Sequence, residues 1–85
     1  MSQFTTVTDA NTFVGNSGVD SWDWGDTASA DGFASWLWQN DRDSDPSSPV
    51  HGLGSDDYDE QEAALNSCLR AYLNECGADI AAFGL

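Results

Sequence analysis

The sequence contains no lysine, and its only basic side chains are two arginines, Arg42 and Arg70. Against them stand 15 Asp and Glu, which leaves a formal net charge of -13 on 85 residues. A chain so poor in cations is not expected to bind nucleic acid or an anionic membrane directly, because both require Lys or Arg to neutralise phosphate. Long apolar runs are also missing. Nothing approaches the roughly 18 consecutive apolar residues of a membrane-spanning helix, and residues 1–12 lack the basic and apolar regions of a secretory signal. The expected location is therefore cytoplasmic. Cysteine is scarce: Cys68 and Cys76 fall on one expected helix, about 12 Å apart along its axis, beyond the roughly 7 Å that a disulfide allows. Reduced, half-buried thiols are the expectation.

What the chain does have is aromatic residues: four Trp, four Phe and two Tyr. Each can bury on the order of 150 to 250 Å², enough for a small core despite the charge. A single folded domain over 1–85 is expected, since about 80 residues is near the lower limit for one adequate core.

Local patterning predicts an α+β fold that is mainly helical, with a short N-terminal β element, a middle helix and a longer C-terminal helix. Phe4-Thr5-Thr6-Val7-Thr8 is rich in β-branched residues and reads as a strand. Asp9-Ala10-Asn11 then reads as a turn or a helix start capped by Thr8 or Asp9, closed by Gly15-Asn16-Ser17-Gly18. From Val19 to Trp24 apolar and polar residues alternate, which favours an extended piece with Trp22 and Trp24 on one face. A helix follows, capped by Thr27 or Ser29, with Phe33, Trp36 and Leu37 inward and Trp38 about 200° around from Trp36. Gly32 is out of place in it. Residues 39–54 form an acidic loop rich in Pro, Ser and Gly, of a length usually associated with function. The strongest pattern is a helix from Ser55 to Gly77, with Asp57 and Glu60 in capping-box spacing and a stripe of Tyr58, Leu65, Cys68, Leu69, Tyr72, Leu73 and Cys76. Ala78 to Phe83 is expected to fold back on the core.

Catalytic chemistry finds little to work with. His51 is the only histidine, and it lies in a loop with no nucleophile at a suggestive spacing. Asp41, Asp43 and Asp45 match the first ligand positions of an EF-hand loop, but Pro46 stands where glycine is needed and Gly52 where a bidentate Glu is needed. Two Cys and one His without CxxC spacing do not make a zinc site. No enzyme activity, cofactor or metal is expected.

The acids carry the clearest signal because they are clustered: Asp20, Asp23 and Asp26; Asp41, Asp43 and Asp45; Asp56, Asp57, Asp59, Glu60 and Glu62. In an extended segment, alternate residues stand about 6.6 Å apart on one side, similar to successive phosphates. Asp outnumbers Glu twelve to three, and short side chains make a charge array with less rotamer entropy to lose. Such a surface steers toward grooves lined with Lys and Arg. Trp22, Trp24 and Trp38 lie beside the acids, where an indole suits an Arg-rich partner. The plainer reading is that acidity maintains solubility and that acids at helix starts offset the dipole.

In overall character the chain resembles the small acidic phage-encoded inhibitors of host defence, the anti-CRISPR and anti-restriction proteins that act as nucleic-acid mimics. The resemblance is of composition across all 85 residues and aligns no motif. It implies a non-enzymatic DNA mimic, in the cytosol of the host cell, that blocks the DNA- or RNA-binding channel of a CRISPR effector or restriction enzyme. Its partner would be a basic nucleic-acid-binding protein, with the chain itself a monomer or small homo-oligomer. The residues expected to meet that partner are Asp20, Asp23, Asp26, Asp41, Asp43, Asp45, Asp56, Asp57 and Asp59, with Trp22 or Trp38 as the apolar anchor. Two other readings remain open: an acidic-aromatic module or adaptor that docks its Trp residues into a partner's groove, and a calcium-dependent interaction domain.

Overall fold

Thr6 decides the start of the fold. Its backbone is extended while its hydroxyl accepts the Asp9 N–H at 3.1 Å, and the Asp9 carboxylate in return accepts the Thr5 hydroxyl at 2.6 Å. This reciprocal cap turns a β-branched stretch into a helix, because it satisfies donors that a helix start leaves open. The Thr5 hydroxyl holds the Asp9 carboxyl below its ordinary value. In the computed structural model, which describes residues 4–41, 45–48 and 50–85, the elements are α1 (Val7–Asn16), a 3₁₀ turn at Val19–Ser21, α2 (Ala30–Gln39), a 3₁₀ turn at His51–Gly54, α3 (Tyr58–Cys76) and a 3₁₀ turn at Ile80–Phe83.

No strand occurs among the described residues, so the expected α+β class is corrected to all-helical. The expected strand at Phe4 to Thr8 fails because an isolated β-rich stretch has no partner to pair with, while packing outweighs the small helix penalty of Val and Thr. Ala10 and Val14 of α1 are fully buried, and α1 packs along α2. The expected extended segment at Val19 to Trp24 begins instead as a 3₁₀ turn and becomes extended only at Trp22.

Helix α2 is capped by Ser29, whose hydroxyl accepts the Gly32 N–H at 3.0 Å. Phe33, Ala34 and Leu37 are buried, Trp36 is half-buried and Trp38 points outward. Asp57 caps α3, and Cys68, Leu69, Tyr72 and Leu73 form its buried stripe. Tyr58, expected in that stripe, is 73% exposed. Gly77 ends the helix at a left-handed φ of 73°, and the Ala78 N–H reaches back to the Leu73 carbonyl at 2.9 Å, the Schellman closure that glycine permits. Burial pushes the Cys68 thiol up to about 12. Cys68 and Cys76 are both thiols.

The segment expected as an acidic loop over 39–54 also supplies core: Val50 and Leu53 are fully buried, and the turn at His51–Gly54 packs on α3. Gly52 allows that approach, since a Cβ there would stand 2.8 Å from the Ala64 Cβ.

Tyr72 lies at the centre of an aromatic cluster. Its ring is 5.5 Å from Phe33, 6.3 Å from Trp24 and 6.3 Å from Trp36. Trp24 in turn meets Phe83 at 5.5 Å, and Phe83 meets Trp22 at 5.7 Å. These separations suit edge-on and tilted aromatic contacts. The cluster explains Gly32, because a Cβ at that position would lie 2.2 Å from the Tyr72 hydroxyl oxygen and 3.3 Å from its ring. Gly32→Ala is therefore expected to destabilise the fold by about 1–3 kcal/mol in urea unfolding, despite the better helix propensity of Ala. In a Tyr72→Phe background the cost should shrink; equal costs in both backgrounds would exclude the contact.

Candidate protein-interaction surface

With few cations available, the carboxylates find backbone donors instead. Asp9, Asp23, Asp41, Asp45, Asp57 and Asp79 accept N–H groups from Thr5, Gly25, Phe4, Ser47, Asp59 and Ala81 respectively. In four of the six, the donor is two residues further along the chain, the geometry a short Asp side chain makes and a longer Glu does not. Much of the excess of Asp over Glu therefore comes from turns and caps. That physical reason is separate from the charge array.

The expected partner-facing residues accordingly divide. Asp20, Asp26, Asp56 and Asp59 are exposed and have no side-chain hydrogen-bond or ion-pair partner among the described residues. Asp23, Asp45 and Asp57 are exposed while engaged with the backbone, so their charge still faces solvent. Asp41 differs from all of these. It is 9% exposed, and its Oδ2 accepts the Phe4 N–H at 2.7 Å, pinning the start of the chain to the end of α2. The expectation that Asp41 belongs to an outward array is corrected on that ground. Asp43 lies outside the described residues.

The two anchor candidates also separate. Trp38 is 42% exposed. Trp22 is half-buried and packs on Phe83, so it forms a wall instead of projecting as an anchor. The Trp36 indole N–H donates to the Glu75 carboxylate, while the Trp24 indole N–H is buried with no hydrogen-bond partner.

One concavity joins positions that sequence neighbours gave no sign of bringing together. It lies between the end of α1, the Val19–Ser21 turn and the first turns of α3, and has a volume of about 230 Å³. Val19, Trp22 and Leu65 give it an apolar lining, Asn16, Asn66 and Glu62 a polar one, and Tyr58 stands at its side. Trp22 belongs to the first acidic cluster and Tyr58 to the third. These two clusters, 30 or more residues apart in sequence, thus flank one cavity. No local sequence signal points to it, because its walls come from separate elements.

Among the described residues no group of three or more His, Cys, Asp or Glu is gathered to hold a metal ion, and no helix is long and apolar enough to cross a membrane.

Asp41→Ala is expected to cost about 1–3 kcal/mol in chemical unfolding, because it leaves the Phe4 N–H buried without an acceptor. Asp56→Ala should change stability by no more than about 0.5 kcal/mol. Equal effects of the two substitutions would contradict the division between structural and uncommitted carboxylates.

Compared with protein-family models, with curated proteins and with solved structures, the chain gives no match.

Proposed function

We propose that the chain is a non-enzymatic acidic ligand that occupies a basic nucleic-acid-binding surface of a partner protein and keeps nucleic acid out of it. The observation that carries this reading is the set of exposed carboxylates that have no cationic partner among the described residues, exemplified by Asp20, Asp26, Asp56 and Asp59. Magnitudes support it. The molecule measures 34 Å along its longest axis, and a DNA duplex of that length carries about 20 backbone charges. A net charge of -13 on a body of that size is of the same order. A groove that evolved to hold phosphates would attract it by the same long-range field.

A host defence complex such as a CRISPR effector or restriction enzyme is the partner class that the compositional resemblance implies, and the cytosol is the compartment this role requires. The alternative, an acidic-aromatic module that docks Trp residues into a partner's groove, would rest on Trp38, which is exposed, since the Trp22 indole already packs on Phe83.

The test is capture from a nucleic-acid-free lysate of the source cell on immobilised chain, eluted in parallel with increasing monovalent salt and with a short DNA duplex. Captured proteins should be nucleic-acid binders that DNA releases, with affinity falling about tenfold or more between roughly 50 and 200 mM salt. Captured partners that resist both salt and DNA would overturn the reading.

A further inference from the structure

The cavity between α1 and α3 has the composition of a receptor for one amphipathic cation. Its volume of about 230 Å³ is below the roughly 300–1,000 Å³ of small-molecule sites, a size suited to a single long side chain. Its apolar lining of Val19, Trp22 and Leu65 would cover an aliphatic stem. Glu62 is the one carboxylate in the lining; it is exposed and has no hydrogen-bond or ion-pair partner among the described residues. Asn16 and Asn66 add amide carbonyls that can accept further N–H groups. Further exposed acids lie close by in the chain, Asp20 two residues before Trp22 and Asp57 and Asp59 on either side of Tyr58 in sequence.

We propose that this cavity receives the side chain of an arginine presented by a basic partner protein. Arginine fits better than lysine for two reasons. Its planar guanidinium can stack on an aromatic ring, of which the lining holds two, Trp22 and Tyr58, and its five donors in a fixed fork can engage a carboxylate and side-chain amides together. The proposal rests on the proposed function only for the source of the arginine; the chemistry of the cavity is independent of nucleic-acid mimicry.

The experiment titrates the ¹⁵N-labelled full chain with the capped tripeptide acetyl-Gly-Arg-Gly-amide and, in parallel, with its citrulline analogue, which is nearly the same size and uncharged. Saturable shifts are expected at the Trp22 indole N–H and the Asn16 and Asn66 side-chain amides, with the citrulline peptide about tenfold or more weaker. Glu62→Gln and Tyr58→Ala should each weaken the arginine peptide about fivefold or more while leaving the melting temperature unchanged, because both side chains are exposed. Asp31→Asn, an exposed acid on α2 outside the cavity lining, should have little effect. Equal binding of the citrulline peptide, or equal weakening by Glu62→Gln and Asp31→Asn, would overturn the proposal. If the arginine peptide fills the cavity but DNA does not release captured partners, the nucleic-acid reading fails and the cavity assignment stands. The converse result leaves the charge reading standing and removes the cavity.

Discussion

Fifteen carboxylates and two arginines cannot neutralise one another, and the rest of the structure follows from that imbalance. Ion pairs are not available as a general means of holding elements together, and each exposed charge repels the others. Cohesion therefore has to come from apolar burial. The cluster of Tyr72, Phe33, Trp24, Trp36 and Phe83 supplies it, joining α2, α3 and the final turn around a single phenol ring. Helix capping supplies the second part, with Thr6, Ser29 and Asp57 closing the three helix starts through side-chain oxygens.

The same imbalance explains where the acids are used. A carboxylate with no cation nearby still gains from a backbone N–H, and a hydrogen bond to a charged acceptor contributes more than a neutral one. Four Asp side chains do this within a turn, Asp9 does it at the start of α1, and Asp41 does it across 37 residues to Phe4, which makes it part of the fold. Among the described residues, Asp20, Asp26, Asp31, Asp56, Asp59 and Glu62 have no such engagement. They cost the free protein some stability through repulsion and so form the part of the surface that a cationic partner would relieve.

The helical half of the fold was legible where periodicity and caps agreed. Ser29 and Asp57 were among the expected caps, Gly77 was the expected stop, and the stripe from Cys68 to Leu73 is buried as its spacing predicts. The N-terminal segment misled because β-branched composition is a weak preference, while the Thr6–Asp9 cap is a specific contact that outweighs it. Val50 and Leu53 were hidden because their core role depends on Gly52 approaching α3, a tertiary fact that polar neighbours obscure. Asp41 looked like its neighbours Asp43 and Asp45 in the sequence, and its bond to the distant Phe4 N–H is a tertiary contact that the local pattern does not show. The cavity near Trp22 was invisible for the same reason: its walls come from positions far apart in the chain.

The folded chain holds a large negative charge against its own repulsion. The most direct measurement is the free energy of unfolding as sodium chloride rises from about 10 to 500 mM, where screening shortens from roughly 30 Å to a few ångströms. Stability should increase with salt, steeply at first and then levelling once neighbouring carboxylates are screened. A stability that falls with salt would mean that attractive ion pairs hold the fold, and would contradict the account.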